Sequence, residues 1–146
     1  DVLQESFLKM INKINAFQRK SSLYSWLYRI TTNTALEKLR KKHPEQFLLD
    51  VDKVDYESHG TGSLIELPHF DKKDIMADDF QAELNSLLSE LNAKLRIIFI
   101  LRDIEGNSVK ETAKILNLSE SNVKVRLMRA RMFLKEKLSA SYLERV

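Results

Sequence analysis

The chain has 146 residues, 43% of them hydrophobic, and a formal net charge of +3. That length allows one ordinary core or two small ones. The lack of cysteine excludes a disulfide framework and any thiolate metal site and suits a reducing compartment, the cytosol. The longest apolar run, Ile97 to Leu101, is far short of a membrane span, and no signal-peptide pattern opens the chain, so neither membrane insertion nor export is expected.

Charge is unevenly placed along the chain. Residues 1–42 carry nine basic and three acidic side chains, residues 43–83 three and eleven, and residues 84–146 twelve and seven. Two basic blocks around an acidic connector suit two modules that face polyanions, because clustered Lys and Arg displace counterions from phosphates. Ordinary solvated helix faces would give the same composition.

The first block opens on DVLQESFLKMI, already helical in period and without an initiating Met, which predicts further helix upstream. Leu3, Phe7, Ile11 and Ile14 recur at helical spacing, a break follows near Phe17 to Ser22, and a second helix is predicted from about Ser22 to Lys42. Leu23, Trp26, Leu27 and Ile30 form its stripe, which places Trp26 in packing rather than at a surface. Phe17 and Tyr24 beside Gln18, Arg19, Lys20, Ser21 and Arg29 are the mixture of flat and cationic groups that holds unstacked bases over a charged strand.

Residues 43–83 hold both prolines, all three histidines and two of the three glycines, and read as an acidic flexible linker with an r.m.s. span of roughly 35 Å. Its histidines fit no ligand spacing, so no metal and no cofactor is expected.

The last block is more legible. Leu95 to Ile104 is apolar nearly all round, as in the centre of a small bundle, and Gly106 ends that helix. Ser108 with Glu111 is a capping box opening a helix that buries Val109, Thr112, Ala113 and Leu116. Asn117 suits a left-handed turn, and Ser119 caps a final helix burying Val123, Leu127, Ala130 and Leu134. Two helices crossing at such a turn make a helix-turn-helix. Taking Val123 as the centre of the buried face leaves Ser121, Asn122, Lys124, Val125, Met128 and Arg129 outward. Arg129 suits a guanine edge, Asn122 an adenine, and Val125 or Met128 a thymine methyl. Arg126 and Arg131 flank that face and suit phosphates or internal ion pairs.

"LNAKLRIIFILRDIEGNSVKETAKILNLSESNVKVRLMRARMFLKEKL" resembles the fourth conserved region of the extracytoplasmic-function sigma factors of bacterial RNA polymerase. "DVLQESFLKM" and "FQRKSSLYSWLYRITTNTALEKLRKK" resemble that family's second region. The departures are Asn92 where Pro is usual, Asn117 where Gly is usual and Glu37 where Asp is common. The resemblance implies an all-α protein of two small helical domains, 1–42 and 84–146, joined by the linker 43–83, the second domain a four-helix bundle with a helix-turn-helix. It also implies a promoter-specificity subunit with no chemistry, small-molecule substrate or cofactor of its own. The minus-thirty-five element would meet Ser121, Asn122, Lys124, Val125, Arg126, Met128 and Arg129. The minus-ten element would meet Phe17, Gln18, Arg19, Lys20, Ser21, Tyr24 and Arg29, with Asn33 below the loop. Asp1, Gln4 and Glu5 would meet core polymerase. The implied partners are the polymerase clamp and flap, promoter DNA and an anti-sigma factor.

A stand-alone helix-turn-helix regulator is the alternative, but it has no need of the aromatic and basic loop before "WLYRITTNTALEKLR". An enzyme using the fold for targeting lacks a nucleophile cluster, an acidic metal constellation or a glycine-rich phosphate loop in the helical blocks.

Overall fold

A computed structural model describes residues 1–48 and 78–144, and every regular element among them is helical. Helix α1 (Val2–Lys13) starts on the Asp1 carboxylate, which accepts the Leu3 N–H at 2.9 Å. Glu5 in its first turn and Lys13 in its last complement the helix dipole. One tighter turn, Ile14–Ala16, ends it. Helix α2 (Leu23–Lys42) starts on Ser22, whose hydroxyl accepts the Ser25 N–H at 3.1 Å. Three cations, Arg40, Lys41 and Lys42, fill its last turn, and the residue before Pro44 stops it, as X-Pro sterics require. A single-turn helix, α3 (Glu45–Leu48), follows.

Helix α4 (Asp78–Glu90) leads into α5 (Ala93–Phe99), capped by the Asn92 side chain accepting the Lys94 N–H at 2.8 Å. Asn92 thus starts the helix by accepting a hydrogen bond, where proline would start it only by fixing the backbone. After Phe99 the helix widens into a π-turn, Ile100–Ile104, with the Glu105 N–H bonded to the Ile100 carbonyl at 2.8 Å. Gly106 at φ +76° then turns the chain in a conformation that costs glycine little. Helices α6 (Val109–Leu116) and α7 (Glu120–Glu144) complete the fold.

The core lies entirely in the second half. Leu84 and Leu88 from α4, Leu91 just after it, Ile98 and Phe99 from α5, Ala113 from α6, and Val123, Leu127, Ala130 and Leu134 from α7 form one buried cluster. These are the four helices of the expected bundle. Of the stretch expected as linker, 43–83, the described residues hold α3 and the start of α4, which crosses position 83, with Phe80 packed against the core. The physical reason is that Phe47 and Phe80 each find a partner, Arg40 over the Phe47 ring at 5.2 Å and the bundle core respectively. The flexible-linker expectation for 49–77, with His59, Gly60, Gly62, Pro68 and His69, lies outside the described residues.

The first half is built differently. Helix α1 packs on α2 with Ser6 and Thr34 buried, each hydroxyl donating to the carbonyl one turn back, Val2 at 2.6 Å and Ile30 at 2.8 Å. Lys9 reaches Glu37 at 2.7 Å and Lys38 reaches Glu5 at 3.3 Å, so ion pairs tie the two helices. The stripe Leu3, Phe7, Ile11 and Ile14 faces solvent. Trp26 is half-buried, as its place in the α2 stripe requires.

Among the described residues, the halves meet through α2 on α6 and through α3 on α5. Helix α3 hooks α5: the Gln46 carbonyl accepts from Asn92 Nδ2, and Gln46 Oε1 accepts from Arg96 Nη2 at 3.1 Å. Between α2 and α5 lies a cavity of about 390 Å³ walled by Tyr28, Thr32, Leu36, Leu39, Ile97 and Ile100. Among the described residues no helix is long and apolar enough to cross a membrane.

Leu134, 1% exposed on α7, and Phe7, 58% exposed on α1, provide the contrast that tests where the core lies. Leu134→Ala should cost about 2–5 kcal/mol, whereas Phe7→Ala should cost under about 0.5 kcal/mol, both read from urea unfolding followed by circular dichroism.

Candidate nucleic-acid interface

The helix-turn-helix is assembled from local signals. Glu111 N–H donates to Ser108 Oγ at 3.0 Å, and Ser108 N–H donates to Glu111 Oε2 at 2.7 Å, closing the capping box. The Ser108 backbone N–H, and then its hydroxyl, hold the Glu111 carboxyl below the usual carboxylate range. Asn117 adopts φ 55°, ψ 49°, and the Leu118 N–H closes the turn on the Ala113 carbonyl at 2.9 Å. Ser119 Oγ accepts the Asn122 N–H at 3.1 Å and starts α7. Thr112 and Ala113 are buried as expected, and Ile115 is buried as well, a position the periodicity did not single out.

On α7 the predicted stripe of Val123, Leu127, Ala130 and Leu134 is buried. Ser121, Lys124 and Met128 face solvent, and Asn122, Val125 and Arg129 lie half-buried beside them. Arg126, expected to flank that face, is buried at 8% exposure. Arg131 is an internal partner. Its Nε and Nη2 meet Asp103 Oδ2 and Oδ1 at 2.8 and 2.6 Å, a bidentate pair that ties α7 to the π-turn after α5. Arg129 Nη2 is buried with no hydrogen-bond partner, so this guanidinium has an unspent donor beside the open face.

The other candidate surface is the loop between α1 and α2. Phe17 lies against Trp26 with ring centroids 5.1 Å apart, and Tyr24 lies 5.9 Å from Tyr28. Gln18, Arg19, Lys20 and Ser21 are exposed, and Arg19 takes φ 54°, left-handed for a residue with a Cβ. A depression of about 580 Å³ opens between Ile14, Phe17, Arg19, Ser21 and Leu23. Tyr24 and Arg29 are exposed on the first turns of α2. Asn33 lies two turns along α2 from Trp26 and lines the same cleft as Trp26 and Arg29; it is partly buried, and its Nδ2 donates to the Ile115 carbonyl of α6 at 3.1 Å. Of the three residues expected to meet polymerase, Asp1 caps α1, Gln4 is exposed, and Glu5 is engaged by Lys9 and Lys38.

The pattern of the family described as Sigma-70 region 2 matches residues 1–44, and that of Sigma-70, region 4 matches residues 81–134. The ECF RNA polymerase sigma-E factor of Salmonella typhimurium is 30% identical over 131 residues, which are 90% of this chain and 69% of that protein. The chain belongs to the ECF sigma factors.

The sigma-E factor of Haemophilus influenzae is 28% identical over 138 residues, 94% of this chain and 73% of that protein. The solved structure of the sigma factor RpoE of Bartonella quintana, in complex with the anti-sigma factor NepR, superposes with a TM-score of 0.61 at 29% identity, covering 95% of this chain and 79% of that one. CnrH, in complex with the cytosolic domain of CnrY, shares the fold at a TM-score of 0.59 and 23% identity, covering 96% and 70%.

Three features of this sigma factor carry no local sequence signal. The Asn33–Ile115 bond spans 82 positions, the Gln46–Arg96 bond 50, and the Arg131–Asp103 pair 28. Periodicity within a helix reports which face is buried, not which carbonyl or carboxylate lies across from it.

The capping box gives this sigma factor a pH dependence with a definite sign. Because folding depresses the Glu111 carboxyl, its stabilisation is complete above the unfolded carboxylate pKa and drains away as pH falls through the lower folded value. Glu111→Gln should therefore unfold at a lower temperature than wild type at neutral pH, with the gap closing in acid, read from melting curves over a pH series.

Proposed function

We propose that this sigma factor directs core polymerase to promoters by reading the minus-thirty-five element with the outer face of α7 and holding unpaired minus-ten bases at the loop between α1 and α2. The observation that carries the reading is the loop itself. A helix-turn-helix protein that binds only duplex DNA needs no exposed run of Gln18, Arg19, Lys20 and Ser21 beside a Phe17–Trp26 pair. Phe17 resting on Trp26 supplies a supported flat surface, and Arg19 and Lys20 supply charge for the strand backbone.

On the duplex side, Ser121, Lys124 and Met128 meet the groove first. Arg129 and Asn122 reach base edges from beside them, and Val125 or Met128 meets a thymine methyl. Arg131, paired with Asp103, supports the helix from inside rather than gripping phosphate. Polymerase docks on the outer surface of α1, where Asp1 and Gln4 adjoin the solvent-facing Leu3 and Phe7, and its flap meets the bundle. Glu5 serves the α1–α2 joint. The place of action is the cytoplasm, where polymerase and promoter DNA meet, and an anti-sigma factor is the expected antagonist, as NepR is for the Bartonella quintana relative. The chain acts by binding, and no step of the reading asks it to make or break a covalent bond.

Two substitutions separate the two faces. Arg129→Ala should cost about 1–3 kcal/mol on the preferred duplex, selected from a random duplex pool, and relax its specificity; equal losses on all duplexes would show that the residue does not read bases. With core polymerase, Phe17→Ala should leave duplex binding intact and reduce promoter opening roughly tenfold to a hundredfold, since a stacked base contributes about 1–3 kcal/mol. Permanganate reactivity of thymines measures the opening, and a pre-melted bubble should restore part of it.

A further inference from the structure

Helix α5 is apolar on more sides than the bundle uses. Ile98 and Phe99 are buried in the core, whereas Ile97 and Ile100 are only half-buried and wall the cavity of about 390 Å³ that separates α5 from α2. Tyr28, Thr32, Ala35 and Leu39, at helical spacing on α2 with Leu36 beside them, form the facing wall. The stripe from Tyr28 to Leu39 runs about 16 Å along the helix. Its two ends are chemically unlike. At the C-terminal end of α2, Arg96 Nη2 donates to Gln46 Oε1 at 3.1 Å, a bond that engages one of the guanidinium's five donors. Glu45, the acidic residue of α3 at this end, meets His43 at 3.1 Å. At the other end stands Tyr28, whose hydroxyl is pushed above its ordinary value by burial and then by the Glu105 carboxylate.

We propose that this cavity is a binding site for a small amphipathic carboxylate of the medium-chain fatty-acid class, its head on Arg96 and its aliphatic tail lying between α2 and α5 toward Tyr28. Charge sets that orientation. Arg96 favours an anion at one end and Glu105 disfavours one at the other, while Leu36, Leu39, Ile97 and Ile100 offer only apolar surface between them. The planar guanidinium suits a carboxylate better than any neutral head, because such charge-assisted bonds are the strong ones. A small polar anion would leave the apolar walls without a partner, and a plain hydrocarbon would leave the guanidinium unused. Cavities of about 300–1,000 Å³, mostly apolar with a few placed polar groups, are of the kind that takes small ligands. None of the residues proposed to meet promoter DNA or polymerase walls this cavity, so the site is additional to the proposed function. Because α2 and α5 both contribute walls, an occupant stabilises their arrangement by mass action.

Isothermal titration calorimetry of the full chain with sodium decanoate, kept below its micelle concentration, tests the site. One equivalent should bind, and octanoate, two methylenes shorter, should bind about fifteenfold more weakly, at about 0.8 kcal/mol per methylene. Arg96→Gln keeps an amide for Gln46 but removes the charge; it should weaken octanoate at least about tenfold and leave octan-1-ol unchanged. Ala35→Trp, at an exposed position on the cavity wall, should abolish decanoate binding without altering the circular dichroism. No saturable binding, or binding that Ala35→Trp leaves intact, overturns the site. Equal losses of octanoate and octan-1-ol in Arg96→Gln overturn the carboxylate assignment. A second measurement needs no substitution: with isoleucine methyls labelled, decanoate should shift the resonances of Ile97 and Ile100 and spare that of Ile11, which is exposed on α1. The opposite pattern would put the ligand on the apolar face of α1 and overturn the cavity as its site.

Discussion

One apolar seam, where α7 lies on α5, determines the rest of the bundle. Val123, Ala130 and Leu134 on one side and Ile98 on the other are almost fully removed from water. At about 25 cal/mol per Å² of apolar surface, a few such side chains outweigh any surface ion pair in the molecule. The seam places the first turns of α7 outward, with Lys124 and Met128 in solvent, because burying Val123 and Leu127 leaves them no other direction. The Arg131–Asp103 pair then fixes α7 against the π-turn. Since both partners are mostly withdrawn from solvent, removing one would leave the other charge poorly solvated, so the pair constrains position as much as it stabilises.

Much of this bundle was legible in the amino-acid order. The capping box at Ser108 and Glu111, the left-handed Asn117 and the alternating burial along α7 are local signals, each decided within about two helical turns. The first half was less legible, and the reason is physical. Leu3, Phe7, Ile11 and Ile14 have the period of a buried stripe, yet α1 packs on α2 through Ser6 and a set of ion pairs. Periodicity shows that a face is apolar; it does not say whether a partner covers it. Arg126 and Arg131 show the same limit on the polar side. Both flank the reading face on a helical wheel, and only the tertiary packing buries one and pairs the other with Asp103.

The two proposed nucleic-acid surfaces are made by unlike means. That on α7 is a rigid helix face backed by a core, with an unspent donor in Arg129 Nη2. That around Phe17 is a loop with a left-handed Arg19, supported by one aromatic pair. Reading a duplex requires side chains held at fixed separations along a groove, whereas receiving an unpaired base requires a surface that admits several shapes. The difference in construction suits the two substrates proposed for them.

The joint between α1 and α2 has a consequence for cooperativity. Lys9, Glu5, Glu37 and Lys38 hold it at the protein surface, and exposed pairs of this kind weaken as the Debye length shortens from about 10 Å at 0.1 M salt to about 3 Å at 1 M. The apolar bundle does not weaken with them, and salts such as sulfate strengthen it. Ionic strength therefore pulls apart the stabilities of the two halves of one short chain. Melting in concentrated sulfate should therefore split into two transitions, with the amino-terminal pair of helices loosening while the bundle is still folded.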